Sequence, residues 1–269
     1  MIDFGSMADF GIVPSLENSI TELAEKNEFG ILKNYRRCRD NYGNIRLLDD
    51  KMSLAVTLLL AKDASERYRK KGIPDGVFRD TMSDIGIWCS NNGNKGLHNT
   101  SWIKNHISLE LFRIGRLQFQ MYRVPKTADF IKSLPFGSSA SVLNVHIPQG
   151  EKLDIEKCRQ SLKNAVPFFS EYFPEFKFDY FFCESWLLYD KNREFMSSNS
   201  NIIKFMDLFD IVYSAPIDAQ AIQRIFGKRR LLSRFYPEET SLQRNAKKYI
   251  ASGSRLGFGI GIIPKGNFI

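Results

Sequence analysis

The apolar residues of this chain recur with different periods in its two halves. Up to residue 111 they stand three or four positions apart, which is the period of amphipathic helices. This pattern predicts helices over residues 14–40, 52–71, 75–88 and 102–111, with Gly72-Ile73-Pro74 ending the second. We therefore expect residues 1–111 to form a helical N-terminal domain.

The period then changes to that of β-strands. Residues 114–122 alternate polar and apolar, which predicts an antiparallel strand covered on one face. Val142–Ile147 is short, rich in β-branched residues and followed by Pro148, which cannot donate to a sheet. Residues 179–188 are an almost continuous aromatic and aliphatic run, as expected for a strand covered on both faces. A further strand is possible over residues 125–141.

A helix is predicted between the last two strands, over residues 154–172. This strand–helix–strand unit has the length of a right-handed crossover, so its strands should be parallel neighbours with the helix packed across the sheet. The remaining pattern predicts a helix beginning near residue 201, a strand over 210–214, helices over 217–226 and 241–252, and a strand over 256–263. The expected fold class is α+β: helices first, then a sheet domain over residues 112–269.

Glycines occupy alternate positions of the last predicted strand, at Gly257, Gly259 and Gly261. They share one face, because successive strand residues point to opposite sides of a sheet. A face without side chains lets a helix or a ligand approach the backbone closely.

Composition limits the partners and the location. The 269 residues are 43% hydrophobic and 25% charged, as in ordinary globular proteins. The net charge of +8 permits an anionic partner. However, short basic clusters such as Lys228-Arg229-Arg230 are typical of solvated helix faces, and without a nucleic-acid-binding motif a nucleic-acid partner is not expected. Since no apolar run reaches about 18 residues and the N-terminus does not resemble a signal peptide, we expect a cytoplasmic protein with no membrane partner.

The cysteines and histidines give no sign of a metal site. The four cysteines are widely spaced, which is typical of reduced, buried thiols. The three histidines have no metal-ligand spacing with one another or with the cysteines. We therefore expect no bound metal.

Several stretches, taken in order, resemble bacterial acyltransferase-domain proteins, which join a helical N-terminal domain to a GNAT-like C-terminal domain. They are Gly72-Ile73-Pro74, Phe112–Phe119, Leu143–Pro148, Cys183–Leu188, Ser200–Ile202, Thr240–Arg244 and the alternating glycines. The resemblance covers about residues 45–269. It implies a GNAT-like mixed β-sheet flanked by helices and transfer of an acyl group from acyl-CoA, acetyl or longer. The acceptor and the oligomeric state do not follow from it.

The same resemblance implies where CoA would bind. The turn after the central strand contains the candidate CoA contacts Ile147, Gln149, Gly150 and Lys152, and backbone amides of the next helix could hold phosphate. Asn201 is a candidate partner for a pantetheine amide or, alternatively, a helix cap. The turn departs from better-known GNAT enzymes, because it has one glycine and its acidic residues would repel phosphate, which puts CoA use in question.

Two side chains are candidates for the base that acyl transfer requires. His146 shares a strand face with Asn144 and titrates near neutrality, although a structural histidine is the alternative. Glu184 stands in an otherwise apolar strand, where burial would raise its pKa. The alternative for Glu184 is an ion pair with Arg113 or Arg116.

Ser185 is a candidate donor to the thioester or the departing thiolate, or else bonds only to backbone. Cys183 could attack as a thiolate, but a cysteine in an aromatic strand is typical of core packing. The sequence thus favours direct acyl transfer to an amine or hydroxyl of a small-molecule or peptide acceptor. The alternative is a catalytically inactive, GNAT-shaped binding protein with a protein or nucleic-acid partner.

Overall fold

A computed structural model describes residues 2–268 of the chain. It divides into two compact units. The first runs to Gln120 and includes Ile147–Glu151, and the second consists of Met121–His146 and the chain from Lys152 onward.

Five helices form most of the first unit: α1 (Pro14–Asp40), α2 (Asp50–Lys70), α3 (Asp75–Met82), α4 (Asp84–Asn91) and α5 (Thr100–Ile107). Asp49 caps α2 by accepting hydrogen bonds from the N–H groups of Lys51 and Met52. The predicted helical region is confirmed, with two corrections. The helix predicted over residues 102–111 ends at Ile107, and Leu111 already belongs to a strand. The helix predicted over residues 75–88 is two helices, because the Ser83 hydroxyl donates to the Asp80 carbonyl and competes with the helical ladder.

Strands β1 (Leu111–Ile114) and β2 (Leu117–Arg123) form an antiparallel hairpin in the register Leu111↔Gln120. The single strand predicted over residues 114–122 was therefore wrong at its start. The chain turns at Gly115, whose φ of +68° is in the left-handed region that glycine adopts readily.

The other elements are β3 (Ser141–His146), α6 (Ile155–Tyr172), β4 (Tyr180–Ser185), α7 (Asn201–Met206), β5 (Asp210–Ala215), α8 (Ala219–Phe226), α9 (Ser241–Ala251) and β6 (Phe258–Pro264). The six strands form one mixed sheet in the order β1-β2-β3-β4-β6-β5. Strands β3 and β4 are parallel, and β6 is antiparallel to both of its neighbours, β4 and β5. The α+β class, the mixed sheet and the parallel strand–helix–strand unit are confirmed. Residues 129–133, where a further strand was considered, form a 3-10 helix.

The bare face of β6 is filled by the chain itself. A Cβ on Gly259 would overlap the carbonyl oxygen of Leu188, and one on Gly261 would press on Phe209. Leu188 belongs to a 3-10 helix, Trp186–Leu188, at which β4 ends earlier than predicted. The glycines therefore allow this short helix to pack directly on the sheet backbone.

Candidate active site

The parallel ladder between β3 and β4 sets which polar side chains share a face. Its Cα pairs are Leu143↔Phe181 and Asn144↔Phe182. Since alternate strand residues share a face, Asn144 and His146 lie on the face of Phe182 and Glu184. Both strands continue past these pairs, so His146 and Glu184 stand at the carboxyl ends of two parallel strands, where open α/β sheets bind ligands.

This face is otherwise apolar and aromatic within the second unit. Its buried centre contains Val142, Phe182, Ile260, Ile262 and Val124, and half-buried aromatic residues surround it, among them Tyr122, Phe130, Tyr213 and Phe258. The rings of Tyr122 and Phe182 stack with centroids 6.1 Å apart. Polar side chains on this face therefore have mainly apolar and aromatic neighbours.

The surroundings of Glu184 on this face shift the pKa of its carboxyl. Its side chain is open to solvent on one side, yet partial burial raises the pKa of its carboxyl above the ordinary value. Burial, followed by the negative charge of Glu184, also raises the pKa of the Tyr122 hydroxyl. A carboxylate with a raised pKa is a stronger base than an ordinary glutamate.

Arg113 and Arg116, the candidate ion-pair partners of Glu184, both make contacts within the first unit. Arg113 pairs with Glu151. The Arg116 guanidinium donates to the carbonyl of Pro148 at 3.0 Å and to that of Glu151 at 2.9 Å. These arginines therefore hold the turn that follows β3.

Asn144 has a buried oxygen without a partner. Its residue is 9% exposed, and Oδ1 accepts no hydrogen bond from the described residues. An unpaired buried acceptor costs free energy that a donor from a bound molecule would recover. The sequence placed Asn144 on the face of His146 but gave it no role, since an unpaired atom is visible only in three dimensions.

Ser185 lies on the opposite face of β4 from Glu184, because the two are consecutive in the strand. Its Oγ accepts a hydrogen bond from the Leu187 N–H at 3.2 Å and caps the 3-10 helix. This contact is the backbone role that the sequence left open for it.

Cys183 is also on that opposite face and is fully buried. Burial, followed by the charge of Glu184, raises the pKa of the Cys183 thiol far above its ordinary value. A thiol that resists ionisation is a poor nucleophile, which favours the core role.

Of the candidate CoA contacts, Ile147, Gln149 and Gly150 belong to the first unit and Lys152 belongs to the second. In the first unit, the Gln149 Oε1 accepts from the Asn91 amide at 2.8 Å, and Arg113 offsets the charge of Glu151. Gly150 has a φ of +98° and open space where a Cβ would lie. Ile147 is half-buried. The charge of Glu151, which would repel phosphate, is thus compensated within the protein.

In the second unit, Lys152 is exposed at the entry to α6. The Asp154 Oδ1 accepts from the Lys157 N–H at 3.0 Å and so uses one of the amides that could hold phosphate.

Asn201 is the exposed first residue of α7, and Ser200 caps that helix by accepting from the Ile203 N–H at 3.2 Å. The capping role considered for Asn201 therefore belongs to Ser200. The side chain of Asn201 is exposed and does not cap the helix. Its candidate contact with a pantetheine amide remains a proposal.

Within residues 2–268, no three histidine, cysteine, aspartate or glutamate residues lie close enough to hold a metal ion. Across the same residues, none of the helices combines the length and the apolar character that crossing a bilayer requires.

Comparisons with known proteins match both parts of the chain. The model of the N-acyltransferase N-terminal domain matches residues 18–109, and that of the GNAT-like C-terminal domain matches residues 111–263. A comparison with curated proteins found no similar sequence.

Solved structures of acyltransferases have a similar fold. One, in complex with decanoyl-CoA and teicoplanin, is 21% identical with a TM-score of 0.69 and covers 94% of this chain and 80% of its own. A second, with CoA and 10C-teicoplanin, gives the same values. A third, with decanoyl-CoA, has a TM-score of 0.67 and 21% identity over 78% of this chain and 64% of its own. At this identity the likeness establishes a shared fold.

Proposed function

We propose that this chain, which belongs to the family of the GNAT-like C-terminal domain, transfers an acyl group from acyl-CoA to an amine or hydroxyl acceptor. The observation that carries the proposal is the placement of His146 and Glu184 on one face at the carboxyl ends of two parallel strands. The similar solved structures contain acyl-CoA or CoA, which supports an acyl thioester as the donor.

In the proposed reaction the acceptor attacks the thioester carbonyl directly. His146 or Glu184 removes the proton from the attacking nitrogen or oxygen, the new bond to the carbonyl carbon forms, and the carbon–sulfur bond breaks. The CoA thiolate leaves with the electron pair and takes up the proton from the protonated base, which restores the base. The raised pKa of Glu184 makes its carboxylate a stronger base than an ordinary glutamate. The raised pKa of the buried Cys183 thiol argues against an acyl-enzyme intermediate.

The acceptor is proposed only as a class. Two of the similar structures contain teicoplanin or 10C-teicoplanin, which is consistent with a small-molecule or peptide acceptor for this chain. The aromatic residues around the site, including Tyr122 and Tyr213, would favour an acceptor or acyl group with a large apolar part. The division into residues 1–111 and 112–269 and the cytoplasmic location remain proposals from the sequence.

Thiol release from acetyl-CoA and decanoyl-CoA in the presence of a panel of amines tests the proposal. His146→Ala and Glu184→Gln should be compared with Glu156→Gln, an exposed carboxylate on α6, as the control. Loss of the base should lower turnover by roughly 10²–10⁴-fold while the affinity for acyl-CoA stays the same and the melting temperature does not fall.

A different result would favour the alternative. If neither acyl-CoA raises the melting temperature of the wild-type protein and no thiol is released, the chain is a GNAT-shaped binding protein. If His146→Ala and Glu184→Gln release thiol as fast as the control, the base lies elsewhere.

A further inference from the structure

An exposed segment of the second unit combines apolar and positively charged side chains. This segment, Lys228–Phe235, is named the basic–apolar loop and has the sequence Lys-Arg-Arg-Leu-Leu-Ser-Arg-Phe. Leu231 is 96% exposed, and Leu232 and Phe235 are exposed as well. These are three of the six exposed large hydrophobic residues of the described chain, and they lie within five positions. The loop contains no acidic residue.

The loop is held firmly at its base. The rings of Phe226 and Tyr236, on either side of it, are buried and stack with centroids 4.2 Å apart. Two further contacts tie the loop to the rest of the second unit. Arg229 pairs with Asp218, and the Lys247 ammonium donates a hydrogen bond to the carbonyl of Arg234 at 2.9 Å. The leucines are therefore presented to solvent by an anchored loop.

This geometry corrects the interpretation of the basic run. The sequence indicated a solvated helix face for Lys228-Arg229-Arg230, but α8 ends at Phe226 and Gly227 turns the chain with a φ of +77°. Arg230 and Arg234 thus lie on either side of the exposed Leu231 and Leu232 in the chain. Ile217, which precedes Asp218 in the chain, is exposed as well.

Two adjacent leucines between cations match the chemistry of an anionic lipid surface. Apolar side chains gain by entering the boundary between headgroups and acyl chains, while lysine and arginine remain at the phosphate level. Each such cation near an anionic membrane strengthens binding by about fivefold. An acidic protein surface would satisfy the cations but leave Leu231 in water.

We propose that the basic–apolar loop docks this protein on an anionic lipid surface. No membrane-spanning helix is needed, because the contact is interfacial. The sequence predicts no membrane partner because it has no apolar run long enough to span a bilayer, and an interfacial contact does not require such a run. The proposal is independent of acyl transfer, because none of the loop residues belongs to the proposed active site.

Co-sedimentation of the full chain with lipid vesicles tests it. Vesicles of phosphatidylcholine containing phosphatidylglycerol should bind the protein, vesicles of pure phosphatidylcholine should not, and about 0.5 M salt should release it by screening. The double variant Leu231→Ser/Leu232→Ser should lose at least about tenfold in affinity, and Arg230→Gln about fivefold.

The matched control is Leu47→Ser, which removes a leucine that is 74% exposed in the first unit and should leave binding unchanged. All variants should retain the wild-type melting temperature. Equal binding to neutral vesicles, or full binding by the double leucine variant, would overturn the proposal. Dimerisation that Leu231→Ser abolishes, without vesicle binding, would assign the loop to a second copy of the chain instead.

Discussion

Replacing Asn144 with leucine should make the protein more stable and less active. The two side chains have the same number of heavy atoms and a similar shape, so the packing around β3 should survive the change. What is lost is the buried Oδ1, which has no hydrogen-bond partner among the described residues. What is gained is an apolar side chain on a face formed by residues such as Val142 and Phe182.

The magnitude follows from that unpaired oxygen. A buried polar group without a partner costs about 1–3 kcal/mol, and the residual 9% exposure of Asn144 favours the lower end. A gain of about 1 kcal/mol would raise the melting temperature by about 2–4 °C. If Oδ1 accepts a hydrogen bond from substrate, its loss should reduce kcat/KM by about 2- to 13-fold, the equivalent of about 0.5–1.5 kcal/mol.

Asn192→Leu provides a matched control in the same unit. Asn192 is also buried, but its Nδ2 donates to the carbonyls of Trp186 at 2.9 Å and Leu187 at 3.3 Å. Leucine there would leave both carbonyls with fewer donors, so the variant should be destabilised by about 1–3 kcal/mol. Thermal unfolding and thiol release would be measured for both variants. If Asn144→Leu is destabilised as much as Asn192→Leu, Oδ1 is satisfied and the argument fails; unchanged kcat/KM would exclude contact with substrate.

Three further predictions concern packing and charge. Gly259→Val should prevent folding or lower the melting temperature strongly, because its Cβ would overlap a backbone carbonyl; a stable variant would refute this packing. Asp84→Asn should cost about 3–5 kcal/mol in urea unfolding, since Asp84 pairs with buried His106 at 3.1 Å, whereas exposed Asp75→Asn should cost about 0–1 kcal/mol. Burial alone would raise the pKa of Asp84, but His106 and the other hydrogen-bond donors to Asp84 lower it. The destabilisation caused by Asp84→Asn should therefore disappear as pH falls below the ordinary aspartate pKa. Destabilisation that persists at that low pH would contradict the ion pair. Because the pKa of Glu184 is raised in the folded protein, wild-type stability falls as pH rises through that pKa. Glu184→Gln should therefore melt at or above the wild-type temperature at pH 7 and lose this advantage near pH 4. A variant that melts below the wild type at pH 7 would refute the desolvation of Glu184.

The elements of the fold could be predicted wherever the pattern within one element was sufficient. The strand–helix–strand unit at residues 142–188 follows from a β-branched run before Pro148, a helical period and an aromatic run, all of which are local. The hairpin at Gly115 was missed because the polar–apolar alternation continues through its two-residue turn. The division between α3 and α4 was missed because the apolar period runs through Ser83.

The sequence by itself determined the helical first half, the positions of the main strands along the chain and the candidates for catalytic side chains. Only the tertiary structure decided which of these side chains share a face: the register of β3 and β4 places Glu184 on the face of Asn144, and Ser185 on the other. It also decided that Asn144 has an unpaired oxygen and that Leu231 stands exposed on an anchored loop. The physical reason is that backbone geometry fixes the period of an element locally, whereas pairing, burial and hydrogen-bond satisfaction depend on residues distant in the chain.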